Sequence, residues 1–133
     1  MWLVSSYTPS LAIPIPRRVL IALLATAVGF AFVYSGILAF RRAGTTVNPT
    51  KPETASAVVA SGVYRFSRNP MYVGVLFLLA GWAVFLSHAL ACLFVPAYVA
   101  YMNRFQIVPE ERALLSKFGQ DYVAYRRSVR RWL

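Results

Sequence analysis

Residues 62–74 read Gly-Val-Tyr-Arg-Phe-Ser-Arg-Asn-Pro-Met-Tyr-Val-Gly, setting two arginines, an Asn-Pro pair and two tyrosines against the start of an apolar run. The comparable cluster, residues 104–112, carries Arg104, Arg112 and the adjacent acids Glu110 and Glu111. Arginines recognise anions, carboxylates recognise cations, and tyrosine rings present a face to either a ring or a cation. Two such clusters bracketing one hydrophobic hairpin describe a recognition site at a membrane surface.

Composition points to the same place. Of 133 residues, 59% are hydrophobic and 14% charged, with a mean hydropathy of +0.56, which is too apolar for a soluble chain of this size. The net charge of +10 arises from 14 Lys and Arg against 4 acids. These cations flank the apolar runs, as the positive-inside rule and attraction to anionic lipids require, and do not form the soluble basic face that nucleic acid needs. Cys92 is the single cysteine and His88 the single histidine, so a disulfide or a cysteine-histidine metal cage is not expected.

Residues 19–40 are uninterrupted apolar, clamped by Arg17 and Arg18 before and Arg41 and Arg42 after. As a helix they span roughly 33 Å, enough for a bilayer core of about 30 Å. Residues 1–16 are broken by Pro9, Pro14 and Pro16 and read as an extracytoplasmic arm. Residues 43–61 mix Gly, Thr, Asn, Pro and Lys and read as a loop. Residues 71–105 are too long for one span and predict a tight hairpin of helices 70–86 and 89–104, turning at His88, which is expected to be a wet turn residue. The hairpin returns the chain to its starting side, so the basic loop and the basic tail share one face, cytoplasmic by charge.

Past the hairpin, Pro109 can open a helix with Glu110 and Glu111 in its first turn, and Gly119 can close it. Leu114, Phe118, Tyr122, Tyr125 and Val129 then form one apolar stripe with Lys117, Arg126, Arg127 and Arg130 around it. The expected architecture is an all-α integral membrane helical bundle forming a single domain, with surface helices over residues 109–130 as a cytoplasmic amphipathic C-terminal segment. Each polar cluster also has a purely structural account. Asn69 before Pro70 suits a helix start, Arg65 and Arg68 suit membrane anchors, Glu110 and Glu111 suit a helix dipole, and the tyrosines suit an interfacial belt.

The order of motifs resembles the membrane-embedded methyltransferases of the isoprenylcysteine carboxyl methyltransferase and phospholipid N-methyltransferase group, over roughly residue 44 to the C-terminus. That group carries Gly-x-Tyr-x-x-x-Arg-His-Pro-x-Tyr-x-Gly, an apolar hairpin, then Glu-Glu leading into a helix with Phe-Gly and spaced tyrosines. Gly62, Tyr64, Arg68, Pro70, Tyr72 and Gly74 stand at the matching positions, followed by Glu110, Glu111, Phe118, Gly119, Tyr122 and Tyr125. Two departures stand out. Asn69 replaces the histidine, keeping a hydrogen-bonding side chain that cannot ionise. The additional N-terminal span common in the group is also missing here, and residues 1–16 look like its end.

The resemblance implies S-adenosylmethionine as methyl donor and a lipophilic or lipid-modified acceptor, with membrane lipids around the protein. It implies a multi-pass protein with its donor site and C-terminus in the cytoplasm. Tyr64, Arg68, Asn69, Pro70, Tyr72, Gly74, Glu110 and Glu111 would bind the donor: an acid for its ammonium, Arg68 or Arg104 for its carboxylate, a tyrosine face for its adenine or sulfonium, and Gly74 for close approach. Arg104 and Glu111 would be the catalytic pair. An amine acceptor needs deprotonation and a carboxylate does not, so the missing histidine favours a carboxylate. A phospholipid amine methyltransferase and a non-catalytic scaffold of the same fold are the alternatives.

Overall fold

The computed structural model describes residues 1–8, 12–45 and 56–133. Pro9 and residues 46–55 of the basic loop, including Lys51 and Glu53, lie outside these. Among the described residues the fold is all-α: α1 (Trp2–Tyr7), α2 (Arg18–Arg42), a 3-10 turn (Gly62–Arg65), α3 (Pro70–Leu86), α4 (Ala89–Tyr101), a π-helical segment (Met102–Ile107), α5 (Val108–Phe118) and α6 (Gln120–Ser128).

Helix α2 is the one described helix both long and apolar enough to cross a membrane, with 25 residues and a mean hydropathy of 2.1 in its best stretch. Only 17% of that stretch is buried within the protein, so its apolar side chains face outward. Pro70–Leu86 is apolar but shorter. The face α2 does bury packs on α3 through glycine. A Cβ on Gly29 would stand 2.8 Å from the carbonyl oxygen of Gly74, and one on Gly74 would stand 2.6 Å from that of Gly29. Small residues let helix backbones approach this closely where no aqueous hydrophobic force pulls them together.

Ser87 turns the hairpin in the left-handed region at φ 50. His88 is not the wet turn residue expected. It is 2% exposed, and its Nε2 lies 2.6 Å from the carbonyl oxygen of Thr8. The N-terminal arm folds back to cover it, with the amide of Ile13 donating to the oxygen of Ser87 at 2.7 Å.

Helix α4 does not end at residue 104, and α5 does not begin afresh at Pro109. The helix runs through both positions, widened to π geometry over Met102–Ile107. Pro109 has no N–H for the carbonyl of Phe105, and its ring would strike that oxygen in a regular α-helix. One wider turn relieves the clash without breaking the helix. Gly119, at φ 53, then separates α5 from α6. Tyr122 is buried and Lys117, Arg126, Arg127 and Arg130 are exposed, so the apolar stripe of this segment faces the protein.

Candidate functional site

The polar residues converge where the turn before α3 meets the π segment, α5 and the C-terminal tail. Arg68 and Glu111 form a buried ion pair, Nη2 to Oε1 at 3.0 Å, with side chains 9% and 10% exposed. Arg131, from the tail, grips the same carboxylate with both ends of its fork, Nε to Oε1 at 3.0 Å and Nη2 to Oε2 at 2.7 Å. Backbone contacts fix this arrangement. The Arg68 amide donates to the oxygen of Arg130 at 2.9 Å, and Asn69 Nδ2 donates to the oxygen of Arg131 at 2.9 Å. Trp132 donates from Nε1 to Asn103 Oδ1 at 3.1 Å and packs edge-on to Tyr98.

Two guanidiniums on one carboxylate leave the triad with an excess positive charge. Arg68 Nε is buried with no hydrogen-bond partner among the described residues. A buried N–H without an acceptor is costly, so this one has a hydrogen bond left to donate.

The neighbouring acid is wired differently. Glu110 Oε1 accepts from Tyr72 Oη at 2.7 Å and from Gln106 Nε2 at 2.6 Å, and no cation pairs with it among the described residues. Burial is the main force raising its pKa, opposed by those two hydrogen bonds and reinforced by the charge of Glu111. Burial likewise pushes up the Tyr64 hydroxyl, with Tyr125 and Glu110 adding to the effect, which puts Tyr64 in the field of this carboxylate. Tyr64 sits against Phe40 in a T-shaped contact at 5.3 Å, and Tyr125 Oη donates to its carbonyl at 2.8 Å.

Of the residues singled out in the sequence, Arg68, Asn69 and Glu111 are joined to the tail through Arg130 and Arg131, Tyr72 and Glu110 form a neighbouring hydrogen-bonded cluster with Gln106, and Tyr64 is held by Tyr125. Pro70 is fully buried at the start of α3 and offers no polar group. Gly74 meets the backbone of α2, so its missing Cβ serves helix packing where ligand approach was expected. Arg104 is exposed and makes no contact with the network. Asn69 precedes α3 without capping it by its side chain, because that side chain is spent on the tail. Sequence reasoning missed Arg131, Trp132 and Gln106. The spacing of Gln106, one helical turn before Glu110, could have revealed it, whereas Arg131 is one of several cations in a basic tail and carries no distinguishing local signal.

The sequence model of the phospholipid methyltransferase family matches residues 17–121, a span that holds α2, the hairpin and both acids. An uncharacterized protein of Haemophilus influenzae is 44% identical over 63 residues, covering 47% of this chain and all of that protein. No solved structure matches the chain.

Proposed function

Because the chain belongs to the phospholipid methyltransferase family, we propose that it spans the membrane three times and transfers a methyl group from S-adenosylmethionine to a carboxylate on a lipophilic acceptor. The donor supplies an electrophilic methyl group on a sulfonium; everything else falls to the chain. The observation that carries the reading is Glu110, a half-buried carboxylate oriented by Tyr72 and Gln106 with no cation paired to it among the described residues, which fits the donor's ammonium. Arg68, whose Nε lacks a partner among the described residues, fits the donor's carboxylate, and the ring of Tyr72, only partly buried where Tyr64 is packed in the core, fits its adenine or sulfonium.

Glu111 holds Arg68 in place through the triad with Arg131 and takes no part in proton transfer. Asn69 fixes the tail that supplies Arg131. With Glu110 engaged by the donor and Glu111 by two guanidiniums, the network has no spare base, which suits an acceptor that is already ionised. Methyl transfer is an in-line displacement, so orientation and exclusion of water are the main demands on the protein. The apolar hairpin excludes water and admits the acceptor from the bilayer. Arg104, exposed on the π segment, remains to meet the acceptor's carboxylate.

One observation favours a second reading, a phospholipid amine acceptor. The raised proton affinity of Glu110 suits a general base that removes a proton from an ammonium headgroup. Incubating the purified protein with methyl-labelled donor and native lipid extract tests both. Methyl esters release the label in mild alkali and N-methyl groups retain it. Absence of any labelled lipid, together with absence of donor binding by calorimetry, leaves only a non-catalytic scaffold.

A further inference from the structure

A groove of about 190 Å³ opens between α2 and α3 at the end of the hairpin away from Glu110. Val19, Ala22, Leu23 and Thr26 line it on α2, and Trp82 and Phe85 do so on α3. Trp82 lies ten residues beyond Tyr72 on the same helix, about 15 Å along its axis. The groove is therefore separate from the methyl-transfer site.

The floor is small and the rims are large. Ala22 and Gly81 are buried at the bottom, and a Cβ on Gly81 would stand 3.0 Å from the carbonyl oxygen of Ala22. Leu23 and Trp82 stand 62% and 46% exposed on the sides, with Trp82 stacked on Phe85 at 5.5 Å. This is a slot for a slender apolar chain.

The charge at its mouth identifies the chain. Arg18, Ala22 and Thr26 recur every four residues, so they lie on one face of α2. Arg18 stands one turn above the floor of the groove, with Arg17 beside it. Both arginines are exposed, and neither makes an ion pair among the described residues. From Val19 to Thr26 the helix rises about 10 Å, a third of a hydrocarbon core of about 30 Å. That is the depth reached by the first part of an acyl chain whose headgroup rests at the interface.

We infer that this groove is a binding site for an anionic phospholipid, its phosphate paired with Arg18 and Arg17 and one acyl chain laid along Ala22, Thr26, Gly81 and Trp82. The inference rests on the membrane-spanning reading of α2 and not on methyl transfer. A zwitterionic lipid fits the slot equally well but brings its own cation to the two arginines, so the headgroup sets the preference.

Trp82 is the reporter. The protein is reconstituted in phosphatidylcholine bilayers containing either dibrominated phosphatidylglycerol or dibrominated phosphatidylcholine, and quenching in a Trp82→Phe variant is subtracted to isolate the Trp82 signal. Phosphatidylglycerol should quench Trp82 at a mole fraction lower by about fivefold, the effect of one arginine near an anionic headgroup. The preference should disappear in the Arg17→Gln/Arg18→Gln variant, whose sites are exposed and remote from the polar network. Equal quenching by both lipids, a preference that survives loss of both arginines, or no quenching because a second copy of the protein covers the groove would each overturn the inference.

Discussion

Glu110→Gln should separate ligand binding from stability. Tyr72 and Gln106 both donate to Oε1 of Glu110, at 2.7 and 2.6 Å. A glutamine with its carbonyl oxygen at that position keeps both bonds and loses only the charge. Losing a charged partner that the bound donor would cover costs about 2–5 kcal/mol of donor binding, a rise of roughly 30- to 5,000-fold in Kd. Stability should move the other way. Because burial raises the pKa of Glu110, the folded state binds more protons than the unfolded state between the ordinary carboxyl range and the raised value. The associated stabilisation is complete below that range and is lost as pH climbs through the raised pKa. Glutamine does not titrate, so the variant should melt at or above the parent at pH 8 and lose that advantage toward pH 4.

Glu111→Gln provides the contrast, because it strands Arg68 and Arg131 around a neutral group. Removing one member of a buried ion pair costs about 3–5 kcal/mol. Arg131 is 32% exposed in its side chain, which puts the expected loss at the lower end, a drop in Tm on the order of 10 °C. Calorimetry with S-adenosylmethionine and thermal melts at pH 4 and pH 8 in detergent measure both effects. If Glu110→Gln binds the donor like the parent, or melts below the parent at pH 8, the assignment of Glu110 to the ligand is wrong.

Asn69→His keeps an N–H for the carbonyl of Arg131 and should retain activity, while Asn69→Leu loses that bond, costs about 1 kcal/mol of stability and should lose more turnover than its melt accounts for; equal turnover in both variants makes the position structural. Deleting residues 129–133 removes the bonds from Arg68 and Asn69 to the tail, the second guanidinium on Glu111 and the Trp132 contact, so Tm and donor affinity should fall together, and an unchanged affinity removes the tail from the site. In a Cys92→Ala background, Ser61→Cys should react with a membrane-impermeant maleimide only after the inner face is opened; labelling from outside intact cells reverses the orientation and denies the site a cytosolic donor.

Some of this was legible in the chain itself. The apolar run of α2, the Pro70 start of α3, the hairpin turn near residue 88 and the Gly119 break all follow from local signals: hydropathy, proline's missing N–H and glycine's freedom at φ 53. The motif at residues 62–74 and the paired acids marked Arg68, Asn69, Tyr72, Glu110 and Glu111, which do gather, but also Arg104, which stays exposed.

What the two acids do was decided by tertiary structure. Glu110 and Glu111 are neighbours of one type, and adjacent helical positions point about 100° apart. One meets Arg68 and a tail arginine 20 residues further along, and the other meets Tyr72, 38 residues earlier. Nothing local distinguishes Arg131 from the cations around it until the Arg68 amide and Asn69 catch the tail's carbonyls. Gly74 shows the same limit, since a glycine beside a polar motif looks the same in sequence whether a ligand or the carbonyl of Gly29 fills the space. The continuous helix across Pro109 depended on a neighbouring turn widening to absorb the clash, an adjustment of backbone geometry that no residue type announces.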